Sequence, residues 1–322
     1  LYMASPLFSE DSEDKWKQAA EAAYDIIKQK TDLGLDLVPY PQIFNDVNNQ
    51  KAEVILYRPT GESGDFEKAN FPIGVEGGKT STCPTQNLME AYDMKDGTPF
   101  VWNNQSDPYD NRDPRMKYTI VCNEMKWPVD PVEIWEGGTN GLPLQNATTT
   151  GYYLKKYVNN TISFEAGSTV TKKQHNWVLF RYGEILLNYA EAMINAFHDP
   201  NYKDAVYNMS AREAVNQIRG RTNISLPGFP SDITEKDFVK RLKNERRVEL
   251  AFEGHRFWDV RRWKELGQTA NIYGVKITKN NEVISYEKFL LETRAVTDNM
   301  YFYPIPNTER FKNPNLGQNL GW

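Results

Sequence analysis

Residues 244–263 read NERRVELAFEGHRFWDVRRW, and this stretch restricts the fold of the chain more than any other. Four carboxylates (Glu245, Glu249, Glu253, Asp259), five arginines and four aromatic rings share twenty residues. A solvent-facing helix has no use for so many rings, and a buried one cannot hold nine charges unless each is matched. Thr234 and Asp237 supply a helix start upstream. The three glutamates then recur every fourth residue, a like-charge column that is unfavourable by itself. Arg241 lies four before Glu245, Arg256 three after Glu253, and Asp259 four after His255 and three before Arg262, so cations stand at pairing distance along the chain. Gly254 costs about 1 kcal/mol inside a helix and marks a close contact or a break. A glycosidase needs a carboxylic acid with a raised pKa, and pairing with arginine lowers it. Nucleic-acid binding needs unpaired cations. The reading that fits is a structural ion-pair network locking helices together.

Charge and composition narrow the function classes. The formal net charge is −5 and the isoelectric point near 5.5, opposite to a dedicated nucleic-acid binder. Mean hydropathy is −0.67, yet 39% of residues are hydrophobic and 13% aromatic, so the apolar content is weighted toward rings that serve cores and flat binding platforms alike. No segment is apolar for long enough to cross a bilayer. The opening LYMASPLFSED reads like the last turn of a helix entered halfway, which predicts missing upstream sequence. Cys83 and Cys122 form no metal motif. They read as unrelated buried thiols, with a disulfide as the alternative in an oxidising compartment.

Periodicity divides the chain into four stretches. Residues 1–49 are helical, with Trp16, Ala19, Ala20, Ala23 and Ile27 on one face of a helix over 12–31 and Gly34 at its C-cap. Residues 50–176 are loop-rich, with a strand at 50–58, further short strands in MKYTIVC and YYLKKYV, and a short helix in PTQNLMEAYDM. Loops this long are uncommon unless they carry function. Residues 177–266 return to helix. Leu179, Tyr182, Leu186, Tyr189, Met193 and Phe197 make one apolar stripe, Ser210 and Glu213 form a capping box, and Ala190, Ala211 and Ala214 permit close approach. The pair has the shape of a tetratricopeptide-type hairpin of about 34 residues. Residues 267–322 read as irregular. The predicted class is mainly α, a tetratricopeptide-like helical scaffold with a loop-rich irregular region carrying short β-strands, all within one domain over 1–322.

The charged stretch also resembles the C-terminal signature of the SusD/RagB family. So do RYGEILLNYAEAM (181–193), PTQNLMEAYDMKDG (84–97), YDNRDPRM (109–116) and the ending YFYPIPNTERFKNPNLGQNLGW, in the family's order. NLGW departs from the family's usual Asn-Pro-Gly-Tyr, a change expected in a surface turn. The resemblance implies a non-catalytic surface lipoprotein of the bacterial outer membrane that captures glycans or other nutrients. Its implied partner is a SusC-like TonB-dependent transporter, with no nucleic acid. This chain would be the C-terminal portion, with the lipid anchor upstream of it. A glycoside hydrolase with a loop-built cleft and a helical-repeat interaction scaffold are the rival classes.

Candidate ligand contacts follow from chemistry, since the signature motifs do not hold them. Sugar C–H faces stack on aromatic planes and hydroxyls bond to amides and carboxylates. Trp102 and Tyr109 sit among Asn103, Asn104, Gln105 and Asp107; Trp127 and Trp135 sit among prolines and glycines. These six, Trp102, Asn103, Asn104, Tyr109, Trp127 and Trp135, are the expected ligand-binding residues, each also able to be a loop anchor. Trp16, Trp177, Trp258 and Trp263 lie on helical stripes and are expected in the core. His175, His198 and His255 have no metal spacing, and no nucleotide or hydrolase motif indicates a cofactor. GVEGG and WEGGTNG read as turns. NAT, NNT and NIS match glycosylation acceptors by chance, which carries no meaning in a bacterial protein.

Overall fold

The computed structural model describes residues 1–8, 13–103, 107–165, 167 and 170–322. Its scaffold is built from four helices: α1 (Glu13–Lys28), α5 (Tyr182–Phe197), α6 (Ala211–Arg219) and α7 (Glu235–Glu249). Helix α1 carries acids in its first turn and Lys28 in its last, complementing the macrodipole, and buries Trp16, Ala20, Ala23, Tyr24 and Ile27. That face meets α5 through Leu186, Tyr189, Ala190 and Met193 in one core. Tyr24 stacks on Tyr189 with centroids 5.4 Å apart, and its hydroxyl donates to Asn208 at 2.6 Å. Each buried Leu or Met here contributes roughly 1.5–3 kcal/mol. Ser210 and Glu213 complete the expected capping box of α6, whose Ala211, Ala214, Val215 and Ile218 face α5.

The apolar stripe expected from residue 177 begins five residues later. Asn176–Arg181 is a strand, β4, paired antiparallel with β1 (Val54–Pro59), Tyr57 opposite Val178. Leu179 is exposed and belongs to no helical face. The stretch is rich in β-branched and aromatic residues, and an available partner strand overrides the apparent helical period.

The loop-rich part carries three short helices, α2 (Asp65–Asn70), α3 (Gln86–Met89) and α4 (Pro114–Thr119), and a small ladder of β2 (Ile120–Val121) with β3 (Tyr153–Leu154). The C-terminal stretch is not irregular throughout. It begins with the longest strands of the structure, β5 (Asn271–Asn280) and β6 (Val283–Thr293), a hairpin turning at Asn281 and Glu282. Val275, Ile277 and Tyr286 of the hairpin pack into the core of the loop region, and Asn87 of α3 bonds the Asn271 carbonyl and the Tyr273 amide. The chain closes with the short helix α9 (Asn307–Lys312). No helix is long and apolar enough to cross a membrane among the described residues. Both cysteines are free; burial pushes the Cys122 thiol up to about 12.

The charged stretch is two helices, not one. Helix α7 ends at Glu249, and α8 (His255–Arg262) starts after Gly254, whose φ of +84° lets the chain turn. The carboxylates are indeed matched, but their cations come from elsewhere in the sequence. Arg115 of α4 reaches Glu245 at 2.5 Å and Glu249 at 2.8 Å. Arg181, at the end of β4, reaches Glu53, Glu249 and Glu253 at 2.7, 2.8 and 2.7 Å. Arg221 bonds Glu53 and Glu249, Arg219 bonds Glu245, and Lys156 bonds Glu253. With Asp113 on Arg115, five cations face five carboxylates, all with nearly fully buried side chains. Burial alone would raise the Glu249 carboxyl, but Arg221, Arg181 and Arg115 outweigh it and hold it far below the usual carboxylate range.

The expected local partners go elsewhere. Arg241 donates to the Gly97 carbonyl at 2.8 Å, and Arg256 to Gln268. Only the Asp259–Arg262 pair forms as spaced, at 2.9 Å, inside a second cluster with Arg246 and Glu191. Trp263 joins that cluster, its indole N–H donating to Glu191 at 2.7 Å. Trp258, expected in the core, is 49% exposed, because the break after α7 turns α8 and takes this ring off the buried side. Trp16 and Trp263 are buried as expected, and Trp177 is half-buried.

Candidate ligand-binding site

The clamp fixes where the loop region presents its surface. Two contiguous grooves open there, one of about 700 Å³ and one of about 420 Å³, and they share Trp127, Asn160 and Thr161. The larger is walled by the turn at 127–131, the loop carrying Gly74, Val75 and Glu76, and the segment 160–165. Gly74 has a φ of +87°, and a Cβ there would stand 2.3 Å from the Thr139 carbonyl oxygen, so only glycine lets these loops meet. Asn140 ties the junction, donating to the Ile73 carbonyl at 2.5 Å and accepting from the Glu133 amide at 2.9 Å. The rim offers Val129, Asp130, Asn160 and Thr161, all exposed.

The smaller groove has an aromatic floor. Phe44 and Tyr157 meet edge to face at 5.0 Å, Tyr157 leans on Trp177 at 5.0 Å, and Trp177 stacks on His175 at 5.1 Å. The Lys156 ammonium lies 4.0 Å from the Phe44 ring centroid and bonds Glu253 at 2.8 Å. The clamp therefore reaches the underside of this floor. Lys173 and Asp46 stand across its edge at 3.4 Å. Phe44, Tyr157 and His175 are themselves buried, so the ring that faces the groove most openly is the half-buried Tyr118, with amide, hydroxyl and charged groups at the rim, the mixture that a polyhydroxylated ring needs.

A SusD family model matches residues 42–322. The chain belongs to the SusD family. SusD-like protein P2 from Formosa agariphila is 29% identical over 159 residues, covering 48% of this chain and 27% of that protein. SusD-like protein P38 from the same organism is 30% identical over 151 residues, 45% and 24% of the respective chains. A SusD-like protein from Bacteroides fragilis shares the fold at 26% identity with a TM-score of 0.74, over 94% of this chain and 63% of that one. A SusD-like carbohydrate binding protein from Bacteroides fragilis superposes at 24% identity and a TM-score of 0.75, over 94% and 61%. The chain thus spans less than two thirds of these solved SusD-like proteins.

In this SusD-family chain the six residues expected at the ligand do not form one constellation. Trp127 is the one that lines both grooves, but it is only 7% exposed and Lys155 sits 5.0 Å over its ring, so it anchors the wall more than it offers a face. Tyr109 is core: buried between Tyr152 and Tyr286, with centroids 6.1 and 5.3 Å away, it has no open face for a sugar. Trp102 is half-buried against Phe100, away from both grooves, and Asn103 beside it is exposed. Trp135 is half-buried with Lys279 of the hairpin 4.3 Å over its ring. Asn104 lies outside the described residues. Asn160 and Thr161, which line both grooves, were not singled out from the sequence; the one signal was the polar run VNNT, read only as a chance glycosylation pattern.

Proposed function

We propose that this chain is the ligand-binding portion of a non-catalytic glycan-binding protein at the bacterial cell surface, and that its ligand occupies the grooves on either side of Trp127. The observation that carries the reading is the pair of contiguous grooves with an aromatic floor and a polar rim, built from loops held by a buried clamp. Family membership supports glycans as the ligand class, as does the structural likeness to a carbohydrate binding protein of the family. In the whole protein the scaffold helices act as a tetratricopeptide-like frame. That protein hands its ligand to a TonB-dependent transporter and is held in the outer membrane by a lipid anchor. The clamp's glutamates 245, 249 and 253 are held ionised by their cations, so none of them is an acid ready to protonate a glycosidic oxygen. Calorimetric titration with a panel of neutral oligosaccharides, read beside a reducing-end assay, tests the reading. Binding heat without released reducing ends is the expected result; released reducing ends, or no binding to any glycan, would overturn it.

A further inference from the structure

Every one of the seven arginines buried among the described residues has an acceptor for its charge. Arg115, Arg181, Arg219, Arg221, Arg246 and Arg262 bond carboxylates, and Arg112 bonds the carbonyls of Pro108, Met89 and Tyr92. Arg247 is the exception on α7. It is half-buried, and among the described residues it makes no ion pair and no hydrogen bond. Its charged neighbours are a second arginine, Arg256, whose bond goes to the neutral Gln268, and Glu90, whose opposing pull is weaker and whose carboxylate is paired with Lys288. Burial first, and then the charge of Arg256, pull the Arg247 guanidinium down to about 10. A desolvated cation beside a like charge is an unfavourable arrangement that a folded protein keeps only for a reason.

Both arginines line a cleft of about 460 Å³ on the side of α7 away from the clamp, and both also line an adjoining cleft of about 340 Å³. The three carboxylates in the first cleft are already engaged: Glu90 with Lys288, Glu265 with Lys243, and Asp93 with Arg219 and Arg241. Lys236 and Lys240 stand exposed at its rim and add to the positive field. Flat rings flank the arginines on both sides. Phe100, stiffened by the Arg112 guanidinium 3.6 Å from its centroid, lines the first cleft. Phe257, stacked on Tyr303 and covered by Arg261 at 3.6 Å, lines the second.

We propose that this cleft is a second binding site, distinct from the Trp127 grooves, that takes the acidic group of a charged saccharide, its carboxylate or sulfate bonded by Arg247 and Arg256 and its rings lying against Phe100 or Phe257. Planar guanidinium groups match such oxyanions with paired N–H donors, and rings beside them supply the apolar surface that sugar C–H faces need. An anion there gives Arg247 the partner it lacks.

The test is calorimetry on the protein with tetragalacturonate for the carboxylate arm and a κ-carrageenan tetrasaccharide for the sulfate arm. Fully methyl-esterified tetragalacturonate is the neutral control and pentaglutamate the non-sugar anion. At least one acidic saccharide binds, and more weakly as salt rises. Arg247→Gln and Arg256→Gln each lower that affinity at least about tenfold, the loss of one charge-assisted bond. Arg247→Gln melts no lower than the parent, since it removes an unpaired desolvated charge, and Asn160→Trp in the loop grooves leaves acidic-sugar binding intact. The proposal is overturned if neither acid binds, if the methyl ester binds equally, if Arg247→Gln binds as the parent does or melts lower, or if pentaglutamate binds as tightly with the same sensitivity. Failure here leaves neutral-glycan binding at the Trp127 grooves untouched, so the two sites are judged separately.

Discussion

Arg181 holds Glu249 twice, through Nη1 to the carboxylate at 2.8 Å and through Nη2 to the backbone carbonyl at 2.9 Å. This joins the end of β4, which belongs to the loop region, to the last residue of α7, which belongs to the scaffold. Buried ion pairs add little net stability over a well-packed apolar core, but removing one partner strands the rest. Glu249→Ala takes one carboxylate from three guanidinium groups, those of Arg115, Arg181 and Arg221, and leaves the buried cluster with an uncompensated positive charge although each arginine keeps another partner. Denaturant melts should show a loss of about 3–5 kcal/mol. Neutral-glycan affinity per folded molecule should stay unchanged, because the carboxylate touches neither groove.

Two tryptophans on the same short stretch should behave oppositely. Trp263 is 6% exposed with its N–H bonded to Glu191, and Trp258 is 49% exposed. Trp263→Ala should cost about 3–5 kcal/mol in chemical unfolding. Trp258→Ala should stay within about 1 kcal/mol of the parent.

Acid weakens the fold through His255. Burial, and then the charge of Arg246, lower this imidazole to about 4, against opposing pulls from Glu253 and Asp259. Its Nε2 lies 3.8 Å from Glu184, too far for a hydrogen bond. The folded state therefore keeps the ring neutral while the unfolded chain protonates it near pH 6.5. The stability linked to it is complete above about pH 6.5 and falls as pH drops toward 4, by roughly 2–4 kcal/mol. Glu184, raised by its burial, works in the opposite sense, its contribution fading as pH rises through its folded value. In denaturant melts across pH 4.5–7, His255→Gln should flatten the slope of stability against pH; an unaltered slope would remove His255 from the explanation.

The groove itself depends on a backbone contact. Gly74→Ala forces a methyl group against the Thr139 carbonyl in a left-handed conformation, so the two loops must separate. Glycan affinity should fall by at least about tenfold, while the scaffold, remote from the contact, keeps its helical circular dichroism. Unchanged affinity would show that this wall does not shape the site.

The clamp was legible as a need and not as a wiring diagram. A column of glutamates among rings demands buried cations, but which arginines answer depends on tertiary placement, and Arg115, Arg181, Arg219 and Arg221 lie 26 to 134 residues from their glutamates. Helices α1, α5 and α6 were readable from their apolar period, with a capping box marking the start of α6 alone; α1 ends at Lys28, short of the expected residue 31 and its Gly34 cap, and α5 starts at Tyr182, later than its stripe suggested. The strand at 176–181 was not, because Leu179 falls at helical spacing from Tyr182 and Leu186 while its neighbours pair with β1. The hairpin over 271–293 was overlooked although ITKNNEVIS sets alternating strands around a polar turn. Aromatic residues on polar loops pointed to segments of which one, carrying Trp127, walls both grooves. Which rings were buried was out of reach, since Tyr109 and Trp127 owe their burial to distant segments such as the hairpin's Tyr286 and the Lys155 side chain.

The most direct test places a bulky ring in the channel between the two grooves. Asn160 is exposed, lines both, and makes no hydrogen bond to the clamp among the described residues, so Asn160→Trp fills the site and spares the fold. Using the neutral oligosaccharide that binds best in the panel, calorimetry and a melting curve are run on parent and variant together. Binding weakened at least about tenfold at an unchanged melting temperature is the predicted result. Undiminished affinity in a variant that melts like the parent would contradict the placement of the ligand in these grooves.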